Sequence, residues 1–516
     1  VIALSALVLP PLGLILLLTR PATRWYVKAG ASVLILGLGI AHLFLLYGLR
    51  VELDGSSKRP FLSFYDPETH YRQLEESRKQ MAAKAVEEPV QAIPVSQFAA
   101  AGADEPKPAE APAPATVKET PKASKETPAP VRGYWTDFRG PNRDGVYSEM
   151  PVLTEWPSEG LKPAWKQPVG GGYASFVAAG GRAFTIEQRR DREVAAAYDI
   201  ETGRELWTNS WPAYFRESMG GDGPRATPTW HEGRVYALGA EGEFRVIDAE
   251  SGKTIWRRNI LEDAGASNLQ WGMAASPLIV DDKVIVLPGG RSGKSVVAYH
   301  KTTGNVVWTS LNDKQAYASP MLVTLAGVRQ VLVVTASRVV GLSPEDGKLL
   351  WEYPWVTSFD VNGTQPILVD GNRFIISSGY DHGAALIEIR SSGGGLEARK
   401  IWENKNMKNR FNSSVLYQGH IYGLDEGIFT CVEVETGQRK WKGGRYGYGQ
   451  VLLAGDRLIV ITETGELVLI KPSPDRLQEL ARFEALEGKT WNNHAIENGF
   501  LLVRNATEMA AYRIAR

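Results

Sequence analysis

YDIETGRELW, residues 198–207, reads as the end of one strand, a tight turn carrying a glycine, and a second strand that ends on a tryptophan. The same arrangement recurs as VIDAESGKTIW at 246–256, AYHKTTGNVVW at 298–308, GLSPEDGKLLW at 341–351 and CVEVETGQRKW at 431–441. A looser copy, EARKIW, ends at Trp402. The glycines at 203, 252, 304, 347 and 437 supply the positive φ that such a turn requires. Trp207, Trp256, Trp308, Trp351, Trp402 and Trp441 stand 49, 52, 43, 51 and 39 residues apart. A repeat of about 40–50 residues built from strands is the period of a propeller blade. The tryptophans read as packing residues wedged between neighbouring blades.

The first half of each unit repeats as well. RATPTWHEGRVYALG, AASPLIVDDKVIVLP, YASPMLVTLAGVRQVLVV and SSVLYQGHIYGLD each place small residues before a strand, a turn and a strand. Each blade is therefore expected to be a four-stranded antiparallel meander. Eight inner strands are expected to begin near Tyr173, Ala226, Ala274, Ala318, Thr364, Asn412, Gly449 and Asn493. The eighth unit stops after three strands. An orphan strand at 161–169, LKPAWKQPV, carries the repeat tryptophan Trp165 and lies before blade one. Joined to the C-terminal strands it would complete blade eight and remove the free edges of an open sheet. Blade seven has no tryptophan at the repeat slot, and Trp491 lies outside that slot, near the channel mouth. The expected fold class is all-β: an eight-bladed β-propeller over 133–516, preceded by a transmembrane helical hairpin and a disordered linker.

Residues 1–50 hold the expected hairpin. Val1–Leu18 and Ala29–Leu49 are uncharged runs of spanning length, and Arg20, Arg24 and Lys28 lie between them. Three cations in a short loop place that loop in the cytoplasm and everything after Arg50 in the periplasm of a bacterial inner membrane. A single span behind a leader is the alternative. Residues 51–86 form a juxtamembrane segment with a short helix at about 68–84, following Pro67. Residues 87–132, rich in Pro, Ala, Lys and Glu, cannot build a core and read as a disordered spacer that gives the propeller reach.

Composition excludes several classes. Of 516 residues, 58 are Lys or Arg and 58 are Asp or Glu, so a net charge of zero gives no support for a nucleic-acid partner. A single cysteine, Cys431, rules out an intramolecular disulfide, a cysteine-rich zinc site and an iron–sulfur cluster held by this chain.

The TG-x-x-x-W copies, together with DFRGPNRDG at 137–145, GPRATP at 223–228 and WGMAASP at 271–277, resemble the PQQ-like propeller repeat family over about 134–516. That family includes quinoprotein alcohol dehydrogenases and the lipoprotein of the outer-membrane β-barrel assembly machine. The resemblance implies a propeller and leaves activity open, since the family holds both enzymes and non-enzymes. Its enzymes hold the quinone over calcium in the central funnel, with a catalytic Asp, a stacking Trp and usually a vicinal disulfide. This chain has no Cys-Cys pair.

Segments just before the inner strands should line one mouth of the channel. Arg225, Trp271, Asp313, Lys314, Tyr317, Asn362, Asn412 and Asn493 are the candidate ligand-binding residues there. Arg225 offers a fork suited to a carboxylate, Trp271 a face for a flat ligand, and Asp313 and Lys314 could pair across the funnel or face a ligand. Asp313 and Asp381, the latter beside His382, are the weak catalytic candidates. Acidic residues at the rim are too few for a hard-cation site, so no metal and no cofactor is expected. Asp137, Arg139, Arg143 and Asp144 read as a clip for the N-terminal arm. The leading expectation is a membrane-tethered periplasmic scaffold with a protein partner from the envelope or inner membrane. A PQQ- and calcium-dependent alcohol or sugar dehydrogenase is one alternative, and a periplasmic ligand-sensing module is another.

Overall fold

The structure, a computed structural model, describes residues 10–21, 23–45, 49–53, 60–64, 66–87, 135–217 and 220–515. Eight sheets form the blades, each built on a four-stranded antiparallel run in the order inner to outer, and the blade-seven sheet gains a fifth, parallel strand at Val146–Tyr147. Blade one spans Val177–Pro212 and blade two Thr229–Asn259. Blades three to seven follow over Leu278–Ser310, Met321–Pro354, Ile367–Asn404, Val415–Arg445 and Gln450–Glu484. Blade eight joins Ala495–Glu497, Phe500–Arg504 and Glu508–Arg513 to Pro163–Pro168, so the C-terminal strands pair side by side with a strand from before blade one.

Strand composition follows position. Most inner and middle strands are covered on both faces by neighbouring blades, and stretches such as Gln450–Ala454 and Leu467–Ile470 are buried at every residue. They read as continuous apolar runs because neither face meets water. Outer strands such as Glu479–Glu484 alternate with solvent. In all eight blades the pairing of the third and fourth strands shifts register at a bulge, at Ala197/Tyr198 in blade one and Val246/Ile247 in blade two, for example. The repeat tryptophan pairs with the residue just before that bulge, as Trp256 does with Val246. The bulge re-aims the outer strand.

Most of the repeat tryptophans reach the turn between the third and fourth strands of the following blade. Trp207 Nε1 donates to Ala249 O at 3.0 Å, Trp256 to Lys301 O at 3.1 Å, Trp308 to Pro344 O at 3.1 Å and Trp165 to Ile200 O at 2.8 Å. The rings lie close over the turn glycine. A Cβ at Gly252 would come within 2.7 Å of Trp207, and one at Gly304 within 2.8 Å of Trp256. Glycine is thus fixed there by close approach as well as by its φ of 71° and 72°. Trp351 departs from the rule: its Nε1 donates to Gln330 in its own blade. The following blade has a long hairpin, Gly383–Ser392 with Gly395–Asn404, in place of the short turn.

Before the propeller stand α1 (Pro10–Leu18) and α2 (Trp25–Leu45), packed on each other through Leu17 and Ile35. A strand pair follows, Leu49–Leu53 with Pro60–Phe64. Among the described residues no helix is both long and apolar enough to cross a membrane. Residues 1–9 of the first expected span and the side chain of His42 lie outside the described residues.

The expected juxtamembrane helix is α3 (Pro67–Glu87), and it does not stand apart. Leu74 is buried, and His70 Nε2 lies 2.9 Å from Val169 O. Arg78 donates to Gln167 Oε1 at 2.7 Å and Pro168 O at 2.9 Å, stacks over Tyr198 and pairs with Glu205. Arg190 of blade one pairs with Glu68 and Glu75. α3 therefore lies across the seam where blade eight meets blade one. The expected spacer, 87–132, lies outside the described residues apart from Glu87.

Candidate functional site

Loops that enter the inner strands converge on a funnel at one end of the channel. A cavity of about 180 Å³ is lined there by Tyr173, Trp271, Tyr317, Tyr380, Phe411 and Trp491, with Phe138, Arg225 and Asn493 also reaching it. The aromatic rings form a collar. Tyr173 and Trp491 have centroids 5.2 Å apart, Trp491 and Phe411 4.7 Å, and Trp271 and Tyr317 5.6 Å. The spacings are those of favourable aromatic pairs. Cations stand against the collar. Arg225 lies over Phe215 and Tyr173, Arg410 over Tyr380 and Tyr448, and Lys489 over Trp491. Burial holds the Arg225 guanidinium below its usual range, and its forked donors go to the carbonyls of Gly221 and Gly223.

The channel beneath is filled by the arm DFRGPNRDG. Arg139 and Arg143 adopt left-handed backbone, with φ of 63° and 59°, and both are buried. Arg143 donates to Ser276 O at 3.2 Å and Pro320 O at 2.9 Å, and to Pro277 O. It is also paired with Asp137 at 2.9 Å. Arg139 donates to Ser414 O at 3.1 Å, Val451 O at 3.2 Å and Asn493 Oδ1 at 3.4 Å. Together they reach carbonyls at the starts of inner strands in blades three, four, six and seven. The expected clip is thus an axial plug that makes the channel a closed cup. Gly145 is required because a Cβ there would meet the Arg139 guanidinium at 2.3 Å.

Of the eight candidate ligand-binding residues, Arg225, Trp271, Tyr317 and Asn493 reach the cup. The other four do not. Asp313 is held by Arg338 Nε at 2.7 Å and Nη2 at 2.6 Å, while exposed Lys314 pairs with Asp360 at 3.0 Å. The two do not pair across the funnel, because each has a nearer partner on its own side of the fold. Asn362 is buried, donating to Thr335 O at 3.0 Å and accepting from Ser378. Asn412 is buried and accepts from the Arg410 amide at 3.2 Å. Both hold loops rather than face a ligand. Asp381 is exposed and paired with Lys405 at 2.8 Å, and the His382 ring stands edge-on to Trp355 at 4.2 Å. Neither enters the cup. Tyr173, Tyr380 and Phe411 line the cup without having been among the candidate ligand-binding residues. For Tyr173 and Phe411 the signal is an aromatic beside an inner-strand start.

A hard cation does not fit this cup. Its described lining contains no carboxylate, and Asn493 Oδ1 is engaged by Arg139. Among the described residues no group of three or more His, Cys, Asp or Glu side chains could hold a metal ion.

A family model described as outer membrane protein assembly factor BamB matches residues 190–443. The chain is 22% identical over 302 residues to the outer membrane protein assembly factor BamB of Shewanella oneidensis, covering 56% of this chain and 71% of that protein. It is 23% identical over 380 residues to the BamB of Burkholderia pseudomallei, covering 62% and 91%. The quinohemoprotein alcohol dehydrogenase ADHIIG of Pseudomonas putida HK5 superposes with a TM-score of 0.55 at 13% identity, covering 74% of this chain and 80% of that one. At such identity the superposition speaks for the fold alone. Over 190–443 the chain is thus similar to PQQ-like propeller repeats.

Proposed function

We propose that this protein is a cell-envelope propeller that serves as a docking scaffold in membrane-protein assembly, held at a membrane by α1 and α2. One observation carries the reading. The channel is plugged by the chain's own buried arginines, which leaves a rigid ring with an aromatic cup and loops rather than a constellation of acid, base and nucleophile. The similarity to proteins named as outer membrane assembly factors supports it. Membrane attachment is supported by the helical pair. Ile15, Leu18, Val33, Leu34, Leu36 and Ile40 are exposed, while Leu17 and Ile35 are buried between the helices. Arg20, Arg24 and Lys28 between the two apolar runs favour a cytoplasmic loop, hence a periplasmic propeller at the inner membrane.

Affinity purification from mildly solubilised membranes tests the scaffold. Stoichiometric recovery of envelope assembly proteins is expected, and repeated recovery of the chain alone would overturn it. The aromatic collar favours a second reading, in which the cup stacks a flat ligand such as a quinone. Dye-linked turnover of alcohols or sugars after addition of PQQ and calcium would put that reading first.

A further inference from the structure

We infer that the propeller rests with its funnel mouth against a lipid surface, docked through Val356, Phe359 and Tyr214 and held in that orientation by α3. The inference rests on the membrane attachment proposed above and adds which face of the ring meets the bilayer.

The chain's path sets the orientation. α3 begins at the mouth, where Asp66, Pro67 and Tyr71 surround one groove with Arg190, Asp191 and Tyr214. Arg190 belongs to the turn between the second and third strands of blade one, on the funnel side. From there α3 runs down the seam to Arg78, and its buried contacts fix it to the ring. The connection between membrane and propeller is therefore not the long segment after α3. It is the short passage before it. Leu49 is the cross-strand neighbour of Phe64, so Leu45 at the end of α2 connects to Asp66 through two short steps and one strand pair. At most about 27 Å separates them, given about 3.6 Å per extended residue and about 5 Å across the pair. A tether of that length, joined at the mouth rim, keeps the mouth toward the helical pair.

The mouth is built to meet an apolar surface. Phe359 is 67% exposed, Val356 58% and Tyr214 44%. Val356 and Phe359 project from the loop that also supplies Val361 and Gly363 to the cup, and Phe359 lies 5.7 Å from Tyr380 in the collar. Around them stand exposed pairs of opposite charge, Lys314 with Asp360 and Lys405 with Asp381. A rim with apolar and aromatic projections suits the interfacial zone of a bilayer, where aromatic rings partition.

The test uses the full chain in phosphatidylethanolamine–phosphatidylglycerol vesicles doped with a headgroup-region nitroxide lipid. Ser358→Cys places a fluorophore beside the anchors, and Ser251→Cys places one in an exposed turn on the opposite face, while buried Cys431 stays unlabelled. Severalfold quenching at 358 and none at 251 is expected. V356D combined with F359D, both exposed positions, should bring quenching at 358 down to the level at 251 while the protein still sediments with the vesicles. Sedimentation without quenching at 358 overturns the docked mouth and leaves attachment standing. Quenching that survives both aspartates overturns the anchors named here. Protein left in the supernatant overturns attachment and the docked mouth together.

Discussion

Glu497, in the inner strand of blade eight, is 3% exposed, and its Oε2 has no hydrogen-bond partner among the described residues. Burial pushes its carboxyl up to about 8, with the nearby Glu149 carboxylate adding to the shift. A folded-state value above the unfolded 4.5 means that the folded protein binds the extra proton. Stability is then full below the unfolded value and falls as pH rises toward 8. Glu497→Gln is therefore expected to raise the unfolding free energy at pH 9 by about 2–4 kcal/mol and to change it little at pH 4. Urea titration at the two values checks it, and equal effects at both would mean that the carboxyl titrates in the folded protein where it does in the unfolded chain. Single residues also mark how far the sequence can be read. Five of the repeat tryptophans, Trp207, Trp256, Trp308, Trp351 and Trp441, were legible because each stands four residues after a turn glycine. Blade seven has Ala481 at that slot because the third and fourth strands of blade eight come from opposite ends of the propeller, and there is no turn for an indole to cover. Asp313 misled because Arg338, which neutralises it, stands 25 residues away in a strand whose register no local pattern reveals.

At the scale of elements, α3 shows a different limit. Its existence was readable from Pro67 and the charged run behind it, but its docking was not. The contacts are mostly polar: Arg78, Glu68, Glu75 and His70 resemble an ordinary solvated face until the partners are known. Arg78 meets a seam that also holds Arg189 and Arg504 around the buried Glu187, whose carboxyl those guanidiniums hold at about 2 against the opposing pull of burial. Removing a mostly buried member of such a group costs more than losing a surface pair. Arg78→Ala is expected to lower stability by about 1–3 kcal/mol and to free α3. Limited proteolysis within 88–134 provides the readout. After cleavage the fragment containing α3 should co-elute with the parent propeller and separate from the Arg78→Ala protein. Co-elution in both would show that Leu74 and the Arg190 pairs suffice.

At the scale of the whole molecule, 135–169 performs two tasks. Pro163–Pro168 supplies the outer strand of blade eight, and Trp165 docks on the blade-one turn. The arm at 135–147 fills the axis with Arg139 and Arg143 and adds Val146–Tyr147 as a parallel strand inside blade seven. The eight-fold ring was legible because its repeat is periodic. The plug was not, because it occurs once and its partners are backbone carbonyls from four blades. Three chains pull the tasks apart. One beginning at Val131 keeps both and should be soluble and monomeric. One beginning at Leu161 keeps the closing strand and loses the plug. It should stay soluble with a lower urea midpoint, since carbonyls that Arg139 and Arg143 satisfied are left to water in the opened channel. One beginning at Gly170 loses the closing strand as well. The edge of Glu508–Arg513 is then unpaired, and Met509 and Ala511, buried in the intact ring, are uncovered. An unpaired edge with apolar side chains invites association, so that chain should aggregate or unfold at low urea. Size-exclusion chromatography with a urea titration ranks the three. If the Leu161 and Gly170 chains behave alike, closure does not depend on the strand Pro163–Pro168. If the Leu161 chain matches the Val131 chain in midpoint, the axial arginines contribute nothing to the ring and the cup has no structural floor.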